Sequence, residues 1–157
     1  MRKLFVLSGC PGSGKTYWAN KVKKEHFNTL IISSDQIRKE LSGSQFCFDN
    51  EKKVWKEFYK RIEEAAKEET IDDLYVIADS TCLIDEFRLK FLTKCPGYDK
   101  YILVLFNVSP SICIARNDRR EGKDKVDDLV IKTLIKSFKY PSEEVINKFD
   151  EFMVISK

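Results

Sequence analysis

The sequence has no apolar run approaching the ~20 residues that span a membrane. It opens as Met1-Arg2-Lys3 and passes straight into an apolar strand, which leaves no room for a signal peptide. It has no C-x-x-C. Its five cysteines, Cys10, Cys47, Cys82, Cys95 and Cys113, are odd in number and widely spaced. That usage fits reduced thiols in a cytoplasmic protein better than disulfides or zinc. A net charge of only +3 sets up no global field that demands a nucleic-acid partner, although a local basic patch stays open. There is no internal repeat and no low-complexity linker, and the guanine-reading N-K-x-D of GTPases is missing. What remains is a chain of 157 residues, 43% hydrophobic and 34% charged, expected to form one soluble domain over 1–157 with a real core.

One stretch organises the rest. Gly9-Cys10-Pro11-Gly12-Ser13-Gly14-Lys15-Thr16 matches the Walker A pattern G-x-x-x-x-G-K-S/T. An apolar, partly β-branched run, residues 3–8, precedes it, and a breaker-free run from Tyr17 follows. The motif therefore sits between a strand and a helix, as the pattern requires. Glycines let backbone amides approach an anion, and the helix start favours negative charge. Lys15 would reach the β- and γ-phosphates, and Thr16 would offer its hydroxyl to Mg²⁺.

The remaining pattern alternates strands and helices. Strands are expected at 29–33, 74–78, 101–106 and 152–155. Helices are expected at about 15–24, 35–41, 85–94, 110–120 and 127–138, with a short one opening at Pro141-Ser142-Glu143-Glu144. Asp49 is expected to cap a long helix reaching about Glu69. Its Val54, Trp55, Phe58, Tyr59, Ile62, Ala65 and Ala66 share one face and read as core. A polar loop is expected at 121–124. Five apolar strands among helices predict a three-layer α/β domain with a five-stranded parallel sheet. Ligands bind beyond the carboxyl ends of such strands. The P-loop, Asp35 and Asp79 all fall there.

A phosphate loop alone does not separate a kinase from a motor, switch or ATPase. Asp35 opens a helix just past the second strand, and Arg38 follows one turn later on the same face. A carboxylate there can take a proton from an acceptor hydroxyl while the guanidinium grips a nearby phosphate. The competing reading is a helix-capping Asp paired with a surface Arg. Arg116, Arg119 and Arg120 form a basic group ahead of the polar loop. Guanidinium groups favour phosphoryl transfer, but a helix end also suits cations.

With these residues in place, the chain resembles the P-loop polynucleotide 5′-hydroxyl kinases, including the kinase domain of the phage end-healing enzyme. The resemblance runs through Gly9–Ala19, including Cys10-Pro11 and Trp18-Ala19, the D-x-x-R of Asp35 and Arg38, and Asp79-Ser80-Thr81. It continues through the R-N-x-R-R of Arg116 to Arg120 and the run Lys136-Ser137-Phe138-Lys139-Tyr140. It implies a P-loop kinase fold with a helical lid at about 114–140, ATP as donor and Mg²⁺ as metal. The acceptor it implies is a 5′-OH end of DNA or RNA.

It also implies roles. Gly12, Ser13, Gly14, Lys15 and Thr16 would hold ATP phosphates, with Thr16 on the metal. Asp35 would be the general base, and Arg38 would hold the acceptor phosphate. Arg120 would act on the transferred phosphoryl, with Arg116 assisting on the nucleotide. Asp79 and Thr81 would line the acceptor side. The setting implied is the cytoplasm, or a host cytoplasm if the chain is phage-encoded. Relatives carry Asn or Phe where this chain has Cys82, so one acceptor contact is expected to differ. With the chain ending at Lys157 and no phosphatase domain attached, 3′-phosphatase activity is not expected. A kinase of another hydroxyl (a nucleoside, a small metabolite or a modified base in DNA) would use Asp35 identically. A nucleotide-binding regulator is the third reading.

Overall fold

The computed structural model describes residues 1–122 and 125–156. Five strands, β1 (Arg2–Ser8), β2 (Thr29–Ser33), β3 (Leu74–Asp79), β4 (Lys100–Asn107) and β5 (Glu151–Ser156), form one sheet. Its order is β2-β3-β1-β4-β5, with every neighbouring pair parallel. Seven helices occur among the described residues. They are α1 (Lys15–Glu25), α2 (Ser34–Ser42), α3 (Glu51–Ala65), α4 (Asp85–Lys94), α5 (Pro110–Asp118), α6 (Asp128–Ser137) and α7 (Glu143–Ile146).

Alternation along β1 builds the three layers. Leu4 and Val6 point into a core shared with Val54, Phe58 and Ile62 of α3, Phe91 of α4 and Val145 of α7. Phe5 and Leu7 point the other way, towards Ala19, Trp18 and Val22 of α1. Both faces of the central strands are covered, which is why those strands read as unbroken apolar runs.

The strands lie where the sequence places them, to within a residue at their ends. Helix α5 ends at Asp118 rather than at about Arg120, and the long helix differs at both ends. The long helix α3 is capped at Asn50 rather than at Asp49, and it makes no side-chain cap bond. Asn50 instead donates its amide to Ser42 Oγ at 3.2 Å, tying α3 to the end of α2. The helix also stops at Ala65, four residues early. Glu63, Glu64, Glu68 and Glu69 crowd acidic charge at a C-terminus whose dipole disfavours it. The expected polar loop at 121–124 falls partly on Lys123 and Asp124, outside the described residues.

Candidate active site

At the end of β1 the chain wraps into a loop fixed largely by backbone. The Gly9 amide donates to the Thr81 carbonyl at 2.8 Å, and the Ser13 amide to the Cys10 carbonyl at 3.1 Å. Gly12 adopts φ +82° and Gly14 φ +97°, both left-handed. A Cβ on Gly12 would also lie 2.5 Å from the Cys113 carbonyl oxygen, so only glycine lets the loop lie against α5. Beneath it, the Ser8 hydroxyl donates to the Cys82 carbonyl at 2.7 Å.

Lys15 is buried and folds over this loop, its Nζ donating to the carbonyls of Gly9 (2.8 Å) and Cys10 (2.9 Å). Burial pulls its pKa below the usual lysine value, against the opposing pull of Asp79. Burial likewise pushes the Asp79 carboxyl up, against Lys15 and the Thr16 hydrogen bond. The same burial raises the Cys10 thiol to about 11. Thr16 Oγ1 donates to Asp79 Oδ2 at 3.1 Å.

These groups fit a nucleoside polyphosphate. Ser13 Oγ is buried in the loop without a hydrogen-bond partner among the described residues. The Lys15 ammonium holds only neutral carbonyls, which a phosphate can displace. The Thr16 hydroxyl and Asp79 carboxylate are hard oxygen donors of the kind Mg²⁺ takes. No cluster of three or more His, Cys, Asp or Glu that could hold a metal occurs among the described residues. Mg²⁺ here would complete its shell with phosphate oxygens and water.

The acceptor side follows β2. Ser33, not Asp35, caps α2: its Oγ accepts the Gln36 amide at 3.3 Å. That leaves the Asp35 side chain 67% exposed. Arg38 is no surface residue, being only 5% exposed. It donates to Asp35 Oδ1 at 2.7 Å, and it grips Glu51 with Nε at 2.9 Å and Nη2 at 2.8 Å. The Phe48 ring lies 4.9 Å from its guanidinium carbon. Burial opposes this charge, but the bonds to Glu51 and the carboxylates of Glu51 and Asp35 outweigh it, so the pKa rises. Of five N–H donors, these bonds use three and leave two.

From α5, Arg116 Nη1 donates to the Gly12 carbonyl at 3.1 Å, clamping the loop. Asn117, fully buried, exchanges two hydrogen bonds with the backbone of Val126, at 2.7 and 2.9 Å. It thereby draws the chain ahead of α6 back onto α5.

A single cavity of about 1720 Å³ takes in the loop from Gly12 to Thr16, Asp35 and Arg38, Asp79 and Thr81, and Arg116 and Arg120. All the sequence-derived site residues therefore converge. Arg119 is exposed and is not among the residues lining it. Cys82 is not among them either; it is buried in the larger core at φ +48°, a left-handed geometry that Asn tolerates better. Sequence reasoning missed Glu51 and took Trp55 for core alone; both line the cavity, as does Phe48 of the loop between α2 and α3. It also missed Arg88, 0% exposed beneath the site. Arg88 donates to Ser8 Oγ (3.1 Å), Asp85 Oδ1 (2.9 Å), and the carbonyls of Leu83 (3.0 Å) and Lys139 (2.5 Å). Its only sequence signal was the repeated D-x-x-R spacing of Asp85 and Arg88.

A protein-family model described as an AAA domain (AAA_33) matches residues 4–141. The chain belongs to this AAA domain family. Solved structures extend the likeness of this AAA domain to kinases of the P-loop fold. Chaetomium thermophilum Kti12 in complex with ADP-AlF3 is 15% identical, with a TM-score of 0.71, over 98% of this chain and 88% of that one. A fungal RNA kinase is 18% identical, with a TM-score of 0.64, over 98% and 74%. A gluconokinase from Sinorhizobium meliloti 1021 is 17% identical, with a TM-score of 0.61, over 98% and 82%. A comparison with curated protein sequences gives no significant match. No helix among the described residues is long and apolar enough to cross a membrane.

Proposed function

We propose that this AAA domain is an ATP-dependent polynucleotide 5′-hydroxyl kinase, with residues 1–157 acting as one unit and 114–140 as its lid. The observation that carries the reading is the Asp35–Arg38 pair. An exposed carboxylate bonds at 2.7 Å to a guanidinium with two N–H donors that take no partner among the described residues, in the cavity that holds the phosphate loop. A 5′-OH end presents a hydroxyl and, one nucleoside away, a phosphate. Asp35 accepts the proton of that hydroxyl. Arg38 offers its remaining donors to the phosphate. Lys15 exchanges its carbonyl partners for the β- and γ-phosphates, and the loop amides hold the donor in line with the hydroxyl. Arg120 neutralises charge on the moving phosphoryl. Mg²⁺, held by Thr16 with Asp79, would supply charge neutralisation between the donor phosphates. The fungal RNA kinase among the similar structures supports a nucleic-acid acceptor.

One observation favours a small-hydroxyl acceptor instead: Glu51 already occupies Arg38 at two nitrogens, which an acceptor without phosphate would leave undisturbed. The gluconokinase likeness points the same way. A labelled γ-phosphate transfer panel decides between them. Its acceptors are 5′-OH DNA, 5′-OH RNA, nucleoside 3′-phosphates, nucleosides and gluconate. Transfer to 5′-OH ends and 3′-phosphates is the expected result. Transfer to plain nucleosides or gluconate alone would overturn it.

A further inference from the structure

Helix α3 carries its charge backwards. A helix N-terminus favours anions and its C-terminus cations. Here the first three turns present Lys52, Lys53, Lys56 and Lys60, all exposed, against Glu51 and Glu57, while the last turn holds Glu63 and Glu64 and no cation. Lys52, Lys56 and Lys60 recur every four residues, so each repels the next along one stripe. None of the four has an ion-pair partner within 4.0 Å among the described residues; α3's paired cation is Arg61, bonded to Glu57 and Glu40. Helix stability alone would invert this order. A local arrangement that works against its own helix points to a function.

The place of the stripe says which one. Glu51, the first residue of α3, is the bidentate partner of Arg38, so the acceptor pocket is bolted to the start of this helix. Trp55, one turn on, lines the same cavity, helical spacing sets Lys52 beside it, and Lys56 and Lys60 continue from Lys52 along the helix. Phe48, 52% exposed, lies over Arg38 at the same mouth and keeps ring surface open for a base.

We propose that the outer face of the first three turns of α3 is a track for a single nucleic-acid strand leaving the acceptor pocket. Lys52, Lys56 and Lys60, with Lys53 beside them, meet successive backbone phosphates, and Phe48 stacks on a base at the entrance. From Lys52 to Lys60 the helix rises about 12 Å, the length of about three to four phosphate spacings of a stacked strand. The inference rests on the nucleic-acid reading of the site and deepens it. The preferred acceptor is a strand of several nucleotides, not a mononucleotide.

The test compares wild type with Lys52→Gln/Lys56→Gln/Lys60→Gln. Two acceptors are used, a 5′-OH oligonucleotide of about ten nucleotides and a nucleoside 3′-phosphate, and oligonucleotide binding is followed by fluorescence anisotropy across a salt series. Each lysine on a phosphate contributes about 0.7 to the slope of log affinity against log salt for a single strand. The triple variant should lose about 2 from that slope and raise the oligonucleotide KM about tenfold, with the 3′-phosphate KM unchanged. An arginine triple at the same positions should keep the slope. The glutamine triple should melt no earlier than wild type, since it removes cations that the helix dipole disfavours. An unchanged slope and KM in an active triple variant overturns the track and leaves the kinase reading standing. Equal losses on both acceptors also overturn it. If wild type binds the oligonucleotide with a lysine-dependent slope but phosphorylates no 5′-OH end, the track stands and the kinase reading falls. If wild type neither binds nor phosphorylates, both fall.

Discussion

Asp35–Arg38 and Asp85–Arg88 use one four-residue pattern at two depths. Each aspartate sits in the first turn of a helix, and each arginine bonds back to it, at 2.7 Å and 2.9 Å. Both guanidiniums are buried. Their other partners differ. Arg88 spends its remaining bonds on the Ser8 hydroxyl and two backbone carbonyls, groups that cannot leave. Arg38 spends its own on Glu51, a side chain one-third exposed, and has two N–H donors that take no partner among the described residues. An arginine held by the main chain fixes a scaffold. An arginine held by side chains at a cavity can change partners.

The sharpest way to separate the two pairs is to neutralise each aspartate. Asp35→Asn should lower turnover by about 10²–10⁴-fold, the usual reach of a general base, with nucleotide affinity retained. Asp85→Asn should leave turnover of the folded protein within about twofold of wild type. Nucleotide titration alongside steady-state kinetics checks both, and a collapse of nucleotide affinity in Asp35→Asn would reassign it to the donor side.

Removing the arginines should invert the ranking when stability is read. Arg88→Met removes four hydrogen bonds made by a fully buried guanidinium; Ser8 Oγ keeps the Cys82 carbonyl and the Leu83 carbonyl keeps the Lys139 amide, but the Lys139 carbonyl and Asp85 lose theirs to it, a loss of about 3–5 kcal/mol. At about 2–4 °C per kcal/mol, the thermal midpoint should fall by about 10 °C. Arg38→Met leaves only partly exposed carboxylates behind, which water can reach, so its midpoint should move far less.

On activity Arg38 then leads. Arg38→Ala should cost about 1.5–3 kcal/mol, roughly ten- to a hundredfold in kcat/KM, with a nucleoside 3′-phosphate acceptor. Arg38→Lys should fall in between, since an ammonium cannot make the planar fork. Both losses should shrink with a plain nucleoside, and equal losses on the two acceptors would remove the phosphate-reading role. Glu51→Gln is smaller again. It loosens the fork on Arg38, and the acceptor KM should rise a few-fold, on the order of 1 kcal/mol. A fall in KM would mean instead that Glu51 competes with the acceptor phosphate.

The smallest effect is one of pH. Burial works against the Asp85 carboxylate, but the hydrogen bonds from Ser142 and Arg88 hold its pKa below the usual value. A carboxyl depressed in the folded state stabilises above its unfolded pKa, and that contribution is lost as pH falls through the folded one. The midpoint penalty of Asp85→Asn should therefore be constant near neutrality and fade on acidification below about pH 4.

The strands, their parallel arrangement and the convergence of Asp35, Arg38 and Asp79 on the P-loop were legible because each lies within a few residues of a strand end. Periodicity and the topological rule do the rest. Glu51 was not legible. It reads as an ordinary acidic first-turn residue, and its partner Arg38 lies across a loop that no local pattern closes. The two D-x-x-R pairs show the limit from the other side. Identical spacing put one arginine in the site and one beneath it, and only the buried Ser8 and Leu83 and the Lys139 carbonyl around Arg88 tell them apart. Trp55 was legible as core and illegible as cavity wall, because one half-buried ring serves both.

The strand order also has a consequence in time. Of the five strands β1 is made before the others, yet it pairs only with β3, from Leu74, and with β4, from Lys100. No hairpin shortens the wait. Such pairings close long loops and form slowly. During synthesis the phosphate loop lacks the Thr81 carbonyl that fixes Gly9 until 65 further residues (17–81) have followed. A nascent chain stalled before Thr81 should therefore fail to retain nucleotide, although its Walker A residues have long been exposed. The signature sequence is translated well before it becomes a binding site.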